Sequence, residues 1–319
     1  MEKKKEKIAA VVVSYNRKIL LVQCLDALLL QVFPIDLIIV VDNASTDGTS
    51  ELLKERGYIG NKKIKYIGLK ENTGGAGGFY EGMKMGFEMG FDWLWLMDDD
   101  AIPEKRASLA LVEGSELLIK NNTDFGALGS IAIENREFCK LSWVFKSSNP
   151  KKDYHSLYEL DRNIEVESLS FLGIFINREM ISEIGYPEKD LFIWWDEIEY
   201  SLRIKAKNKK MFVVISSILI HPKGVSDKEV KLPFNKVLYI KSSSLPPWKD
   251  YYDIRNGILI IKRHRLKISK CLKILLTVTL SFIFSATLRD QKFKRVKNSY
   301  LGLVDGIKGR AGKKSGLSK

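Results

Sequence analysis

Short apolar runs alternate with amphipathic stretches along the first 220 residues. Ile8–Val13, Leu37–Val41, Ile64–Ile67 and Trp93–Met97 are brief, rich in β-branched or aromatic residues, and closed by polar turns, which predicts buried strands. Met211–Ile220 reads the same way. Between them, Leu20–Leu30 and Tyr80–Met89 carry helical periodicity, and Thr46–Arg56 opens with polar and acidic residues suited to a helix start, with Ser45 or Thr46 as its cap. Gly74–Gly78 predicts a glycine-rich loop. Strands alternating with helices define an α/β fold with a mostly parallel central sheet flanked by helices. Residues 1–222 form the expected catalytic domain and 223–319 a C-terminal extension, with a loop predicted around Ser242–Pro247.

The extension changes the picture through its charge. The chain has 319 residues, 45% of them hydrophobic, and a formal net charge of +13, which points to an anionic partner. Residues 289–319 hold ten Lys or Arg against two acids. Ile274–Leu288 before them is apolar, but short of the roughly 20 residues a bilayer-spanning helix needs. Thr277, Ser281 and Ser285 would share one polar stripe on a helix there. This predicts a peripheral anchor through 262–319, with its apolar face in the interface and its Lys and Arg on anionic head groups. A buried helix with a solvated basic tail is the alternative. The core shows no RNP aromatics, zinc spacing or helix-turn-helix pattern, which argues against a nucleic-acid partner. Three widely spaced cysteines without metal-type spacing suit a reducing cytosol, and the N-terminus lacks the apolar core of a secretory signal.

Ligands of such sheets gather at the carboxyl ends of the strands. Ser14, Asn16, Arg17, Asp42, Asn43 and Asp98-Asp99-Asp100 fall there. Three adjacent carboxylates closing a buried strand repel one another, and a divalent cation is the simplest group to offset that cost. Hard oxygen ligands suit Mg2+ or Mn2+. A solvated acidic turn is the competing reading. Asp42 and Asn43 can bond a base or ribose edge, or serve as helix caps. Asn72-Thr73-Gly74-Gly75-Ala76-Gly77-Gly78 is neither a P-loop nor a dinucleotide fingerprint, yet its glycines allow close backbone approach before a helix N-terminus. In Phe192–Arg203, Asp196 and Glu197 follow an aromatic block at an expected helix start, where a carboxylate can act as general base. Glu199 and Arg203 read as a helical i,i+4 pair. His221, at the end of a strand, is a candidate metal ligand, although a lone histidine is more often structural. His155 and His264 read as surface residues.

Taken together, VVVSYNR, VVDNASTDGT, NTGGAGGF, LMDDDAIP and FIWWDEIEYSLR resemble, in order, the blocks of the family-2 inverting glycosyltransferases with the GT-A fold. The likeness covers roughly residues 8–260, and the later blocks look most like the galactofuranosyltransferase branch. The resemblance implies UDP-galactofuranose as donor, with dTDP-rhamnose as the alternative. The basic, apolar C-terminus would hold the enzyme at the cytoplasmic face of the plasma membrane, where lipid-linked glycan acceptors reside. The resemblance also implies Asp98, Asp100 and His221 as metal ligands, and Glu197 as base with Asp196 as rival. Trp194 and Trp195 would line the acceptor sugar site. Ser14, Asn16, Arg17, Asp42, Asn43, Asn72, Gly74, Gly75, Gly77, Asp98 and Asp99 would contact the nucleotide sugar. Glu197 stands where the family usually has the second Asp of a pair. Oligomeric state is left open.

Overall fold

The computed structural model describes residues 6–137, 139–142, 163–221, 228–232, 236–240, 245–264, 268–287 and 289–317. They divide into two compact units, one of residues 1–189 and 197–222, the other of residues 190–196 and 223–319.

The first unit is built on a nine-stranded sheet. Its N-terminal part runs β1 (Ile8–Ser14), α1 (Lys18–Leu29), β2 (Leu37–Asp42), α2 (Thr49–Glu55), β3 (Ile64–Gly68), α3 (Gly74–Glu88) and β4 (Trp93–Asp98). The four strands pair in parallel in the order β3-β2-β1-β4. β5 (Ile102–Pro103), α4 (Ala107–Lys120), β6 (Phe125–Ile133), β7 (Ile164–Glu165), β8 (Ile174–Asn177), α5 (Arg178–Ile184), α6 (Asp196–Ala206) and β9 (Lys210–Ile220) complete the sheet and its cover. α6 crosses the division, since its first residue belongs to the second unit. Beyond β4 the sheet is mixed: β8 is antiparallel to both β4 and β6, whereas β6 and β9 are parallel.

Every residue of β1 is buried because helices cover both sheet faces, as parallel strands require. Ile8, Ala10 and Val12 pack with Leu21 and Leu25 of α1 and Leu111 of α4. Ala9, Val11 and Val13 pack on the opposite face with Phe79 and Met83 of α3 and Tyr200 of α6. Side-chain alternation along one strand thus serves two cores.

Two expectations at the sheet edge need correction. Gly74–Gly78 is not a loop but the opening of α3. Gly78, Gly82 and Gly86 lie four residues apart, on one face of that helix. A Cβ on Gly78 or Gly82 would collide with Val13 or Val11 of β1, and one on Gly86 would sit 2.6 Å from Leu94 Cδ2. These glycines therefore let α3 lie directly on the strands. α2 begins at Thr49, with Gly48 before it at φ +82°, so neither Ser45 nor Thr46 caps it. Their main-chain N–H groups are taken instead by Asp42 Oδ1 (2.8 Å) and Asn16 Oδ1 (2.7 Å).

The second unit holds the antiparallel pair β10 (Lys228–Leu232) and β11 (Lys236–Ile240), then α7 (Trp248–Arg263), α8 (Ile268–Thr287) and α9 (Lys292–Lys308). α9 crosses α7 closely, for a Cβ on Gly302 would strike the Tyr251 carbonyl. Its buried face is polar: Arg295, Asn298, Ser299 and Asp305 are enclosed. Asp250 of α7 receives Arg289 at 2.6 Å and Arg295 at 3.0 Å. Phe293, Tyr300 and Ile307, spaced by seven, are exposed. Among the described residues no helix is long and apolar enough to cross a membrane. The stripe expected at Thr277, Ser281 and Ser285 lies outside the described side chains, His155 and Ser242–Ser244 lie outside the described residues, and His264 is half-buried at the end of α7.

Candidate active site

β1 and β4 are neighbours with Val13 opposite Asp98, so their carboxyl ends bring the loop Ser14–Arg17 against the acidic triplet. Ser14 Oγ donates to Asp99 Oδ2 at 2.7 Å, and both residues are buried. Arg17 lies 3.5 Å from Asp99 Oδ1 and pairs closely with Asp100 Oδ2. Burial pushes the Asp99 carboxyl up to about 6, and repulsion from Asp100 adds to this against the pull of Ser14 and Arg17. Burial would raise Asp100 as well, but His221 and Arg17 outweigh it and hold that carboxyl below the ordinary range.

β9 ends beside the triplet. The His221 N–H of the main chain donates to Ile133 O at 2.9 Å, and its Nε2 lies 3.3 Å from Asp100 Oδ1. That approach is not aligned as a hydrogen bond: Asp100 Oδ1 and His221 Nδ1 are buried polar atoms with no hydrogen-bond partner among the described residues. A buried carboxylate oxygen facing an imidazole nitrogen is a donor set that suits a divalent cation. Among the described residues no group of three or more His, Cys, Asp and Glu is arranged to hold a metal.

The remaining strand-end residues are committed mostly to one another. Asp42 accepts from Tyr66 Oη at 2.6 Å and from the Ser45 N–H. Asn43 donates to Gly74 O at 2.7 Å and accepts from Thr73 N–H at 2.7 Å, tying the end of β2 to the start of α3. Asn72 accepts from the Gly74 N–H at 2.8 Å. Asn16 holds φ +54° while clasping Ser45 and Thr46. Gly77 packs against Thr73, and only open space faces Gly75. These side chains set the rim. Tyr66 was not legible from the sequence, because it reaches Asp42 from the adjoining strand.

The second cluster divides. Glu197, half-buried in the first unit, accepts from Ser170 Oγ at 3.4 Å. Asp196, 6% exposed, belongs to the second unit with Trp194 and Trp195. Glu199 and Arg203 pair at 2.8 Å as read, and Arg203 also donates to Ile184 O and Tyr186 O. Asp196, Glu197 and Glu199 all lie in the first turn of α6, where the helix dipole favours negative charge. Behind the aromatic block stand Arg255 and Asn256, which sequence reasoning passed over. A signal was there: Asp253, Arg255 and Asn256 interrupt the mostly apolar YYDIRNGILII stretch.

A parallel-then-mixed sheet with an acidic triplet at the end of its fourth strand is the GT-A fold, and comparison with known proteins agrees. Residues 9–166 match the family described as glycosyl transferase family 2. The segment is a family 2 glycosyltransferase domain, and the protein is a glycosyltransferase. It is 28% identical over 234 residues to galactofuranosyltransferase GlfT1 of Mycolicibacterium smegmatis, covering 70% of this chain and 73% of that one. It is 27% identical over 298 residues to GlfT1 of Mycobacterium tuberculosis, covering 90% and 91%. The dTDP-rhamnosyl transferase RfbF of Shigella flexneri is 21% identical over 320 residues, covering 96% and 97%. Among solved structures, S. aureus TarS 1-349 in complex with UDP-GlcNAc superposes with a TM-score of 0.55 at 17% identity, covering 94% of this chain and 81% of that one. The mannosyltransferase PcManGT of Pyrobaculum calidifontis, in complex with GDP-Man and Mn2+, gives 0.54 at 12%, covering 96% and 76%.

Proposed function

We propose that this glycosyltransferase moves galactofuranose from UDP-galactofuranose to a hydroxyl of a lipid-linked glycan, with inversion. The observation that carries the site is the Asp100–His221 pair beside Arg17, at the carboxyl ends of β4 and β9. The choice of donor rests on the likeness to the two galactofuranosyltransferases. Asp100 and His221 would hold Mg2+ or Mn2+, with diphosphate oxygens completing its shell, and Asp98 stands at the strand end nearby. When bound, the ion neutralises charge on the leaving nucleotide. Arg17 supplies fixed positive charge to the same leaving group, and the rim held by Asn43 and Asn72 keeps the loops from moving as charge develops. Glu197, or Asp196 beside it, accepts the proton of the attacking hydroxyl. Trp194 and Trp195 offer aromatic faces to the acceptor sugar.

The exposed apolar positions of α8 and α9, with the lysines around them, support peripheral attachment at the inner membrane face, where such acceptors are presented. The likeness to RfbF keeps dTDP-rhamnose as the second reading. The test is nucleotide release from UDP-galactofuranose, UDP-galactopyranose, UDP-glucose and dTDP-rhamnose, each with Mn2+ and with EDTA. Metal-dependent release from UDP-galactofuranose alone is expected. Release from dTDP-rhamnose alone would replace the donor assignment.

A further inference from the structure

The segment before α6 is held in an unfavourable backbone. Phe192, Trp194 and Trp195 have φ of +68°, +63° and +68°, the left-handed region that bulky side chains avoid. Strain of this kind persists only where the surroundings over-determine it, and it collects at functional sites. The turn presents three carbonyls to α7, where one side chain collects them. Asn256 Nδ2 lies 2.9 Å from Leu191 O, 2.9 Å from Ile193 O and 3.0 Å from Trp194 O. Asn256 Oδ1 is in turn fixed by Arg255 Nε at 2.8 Å. Arg255, fully buried, reaches Asp190 O and Leu191 O through Nη2 at 3.1 and 2.9 Å. Through Nη1 it bonds Gly312 O, while the Gly312 N–H donates to Asp190 O at 2.7 Å. The C-terminal strap is thereby tied into the same knot. Asp253, one turn earlier on α7, accepts from Trp195 Nε1 at 3.0 Å and sets the rotation of that indole.

We propose that Asp253, Arg255 and Asn256 are positioning residues that hold the Trp194–Trp195 pair in its strained, half-buried pose, and that this pose forms the acceptor-sugar platform. The inference rests on the transferase reading above. Without the carboxamide, three carbonyls lose their shared donor, and the segment relaxes toward ordinary backbone with its indoles turned away. Donor affinity does not depend on this knot, whereas acceptor capture does.

The test uses full-length protein labelled with 5-fluorotryptophan, the two resonances being assigned with Trp194→Phe and Trp195→Phe. Asn256→Asp, which faces the carbonyls with an acceptor, is expected to shift or broaden both signals. Asp253→Leu should move the Trp195 signal, and Asp253→Asn, which keeps an oxygen acceptor, should restore it. Kinetics with UDP-galactofuranose and octyl galactofuranoside are read alongside UDP affinity by calorimetry. Transfer to the acceptor should fall about 100-fold in Asn256→Asp, chiefly through acceptor KM, while UDP affinity stays within about twofold. Should Asn256→Asp fail to fold, the Asp253 pair alone decides. An active wild type whose variants keep its fluorine spectrum and acceptor KM would overturn the clamp and leave the transferase standing. A wild type that turns over no donor would overturn the transferase reading and this inference with it.

Discussion

Arg17 bridges Asp99 and Asp100 from a half-exposed position, and His221 meets Asp100 from the other side. One carboxylate is thereby held ionised, and its neighbour is left with a raised affinity for protons. Asp100→Asn or His221→Ala should therefore raise the Mn2+ concentration for half-maximal turnover by about 10- to 100-fold. A metal titration of wild type and variants checks this, and overlapping curves would remove both residues from the metal site. Glu197 carries the second prediction at this scale. Glu197→Gln keeps the bond from Ser170 but cannot take a proton, so kcat should drop about 10²- to 10⁴-fold with donor affinity retained. Asp196→Asn should cost less. The reverse ranking would hand the base to Asp196.

At the scale of elements, the glycine ridge of α3 sets how closely that helix approaches β1. Gly82→Ala inserts a methyl between Val11 and Val41 and should lower stability by about 1–3 kcal/mol, as read from urea unfolding. A neutral result would mean that α3 rides higher than described. α8 exposes Ile268, Leu272, Leu275, Leu276 and Ile283, and α9 exposes Phe293. Full-length protein should sediment with phosphatidylglycerol vesicles, and the combined change Leu272→Ser, Leu276→Ser and Phe293→Ser should weaken this about tenfold or more. Unchanged partitioning would place the contact elsewhere. The four parallel strands could be read from the sequence because local apolar runs and polar stops define them. The antiparallel half could not, because the pairing of β8 between β4 and β6 joins segments far apart in the chain. Likewise the residues of the Asp100–His221 pair were visible in the sequence as residue types at strand ends. The carbonyl-binding role of Asn256 was not, because it depends on a turn whose backbone no propensity predicts.

For the molecule as a whole, the C-terminal unit should show its own acid limb. Burial would raise the Asp305 carboxyl, but Lys314, Tyr251 and Arg310 outweigh it and hold it below its usual 3.8. A depressed folded value means that this stabilisation is present above about pH 3.8 and is lost as pH falls through the folded pKa. Asp305→Asn should therefore lower the melting temperature near neutral pH and flatten its decline in acid. Parallel melting curves for the two proteins would show that the carboxylate contributes nothing. The same network anchors the strap that Gly312 ties to Asp190.

The chain leaves its sheet-bearing unit at Asp190, spends seven residues in the other, and returns at Glu197. A gene cut at the obvious seam near residue 222 would thus yield an amino-terminal piece carrying a segment that belongs to the missing half. Its left-handed aromatics would have no Asn256 to collect their carbonyls. The two halves are therefore not exchangeable parts. A lineage can vary the helical half residue by residue, but it cannot trade that half for another by simple fusion, so specificity here is expected to drift by point substitution rather than by shuffling.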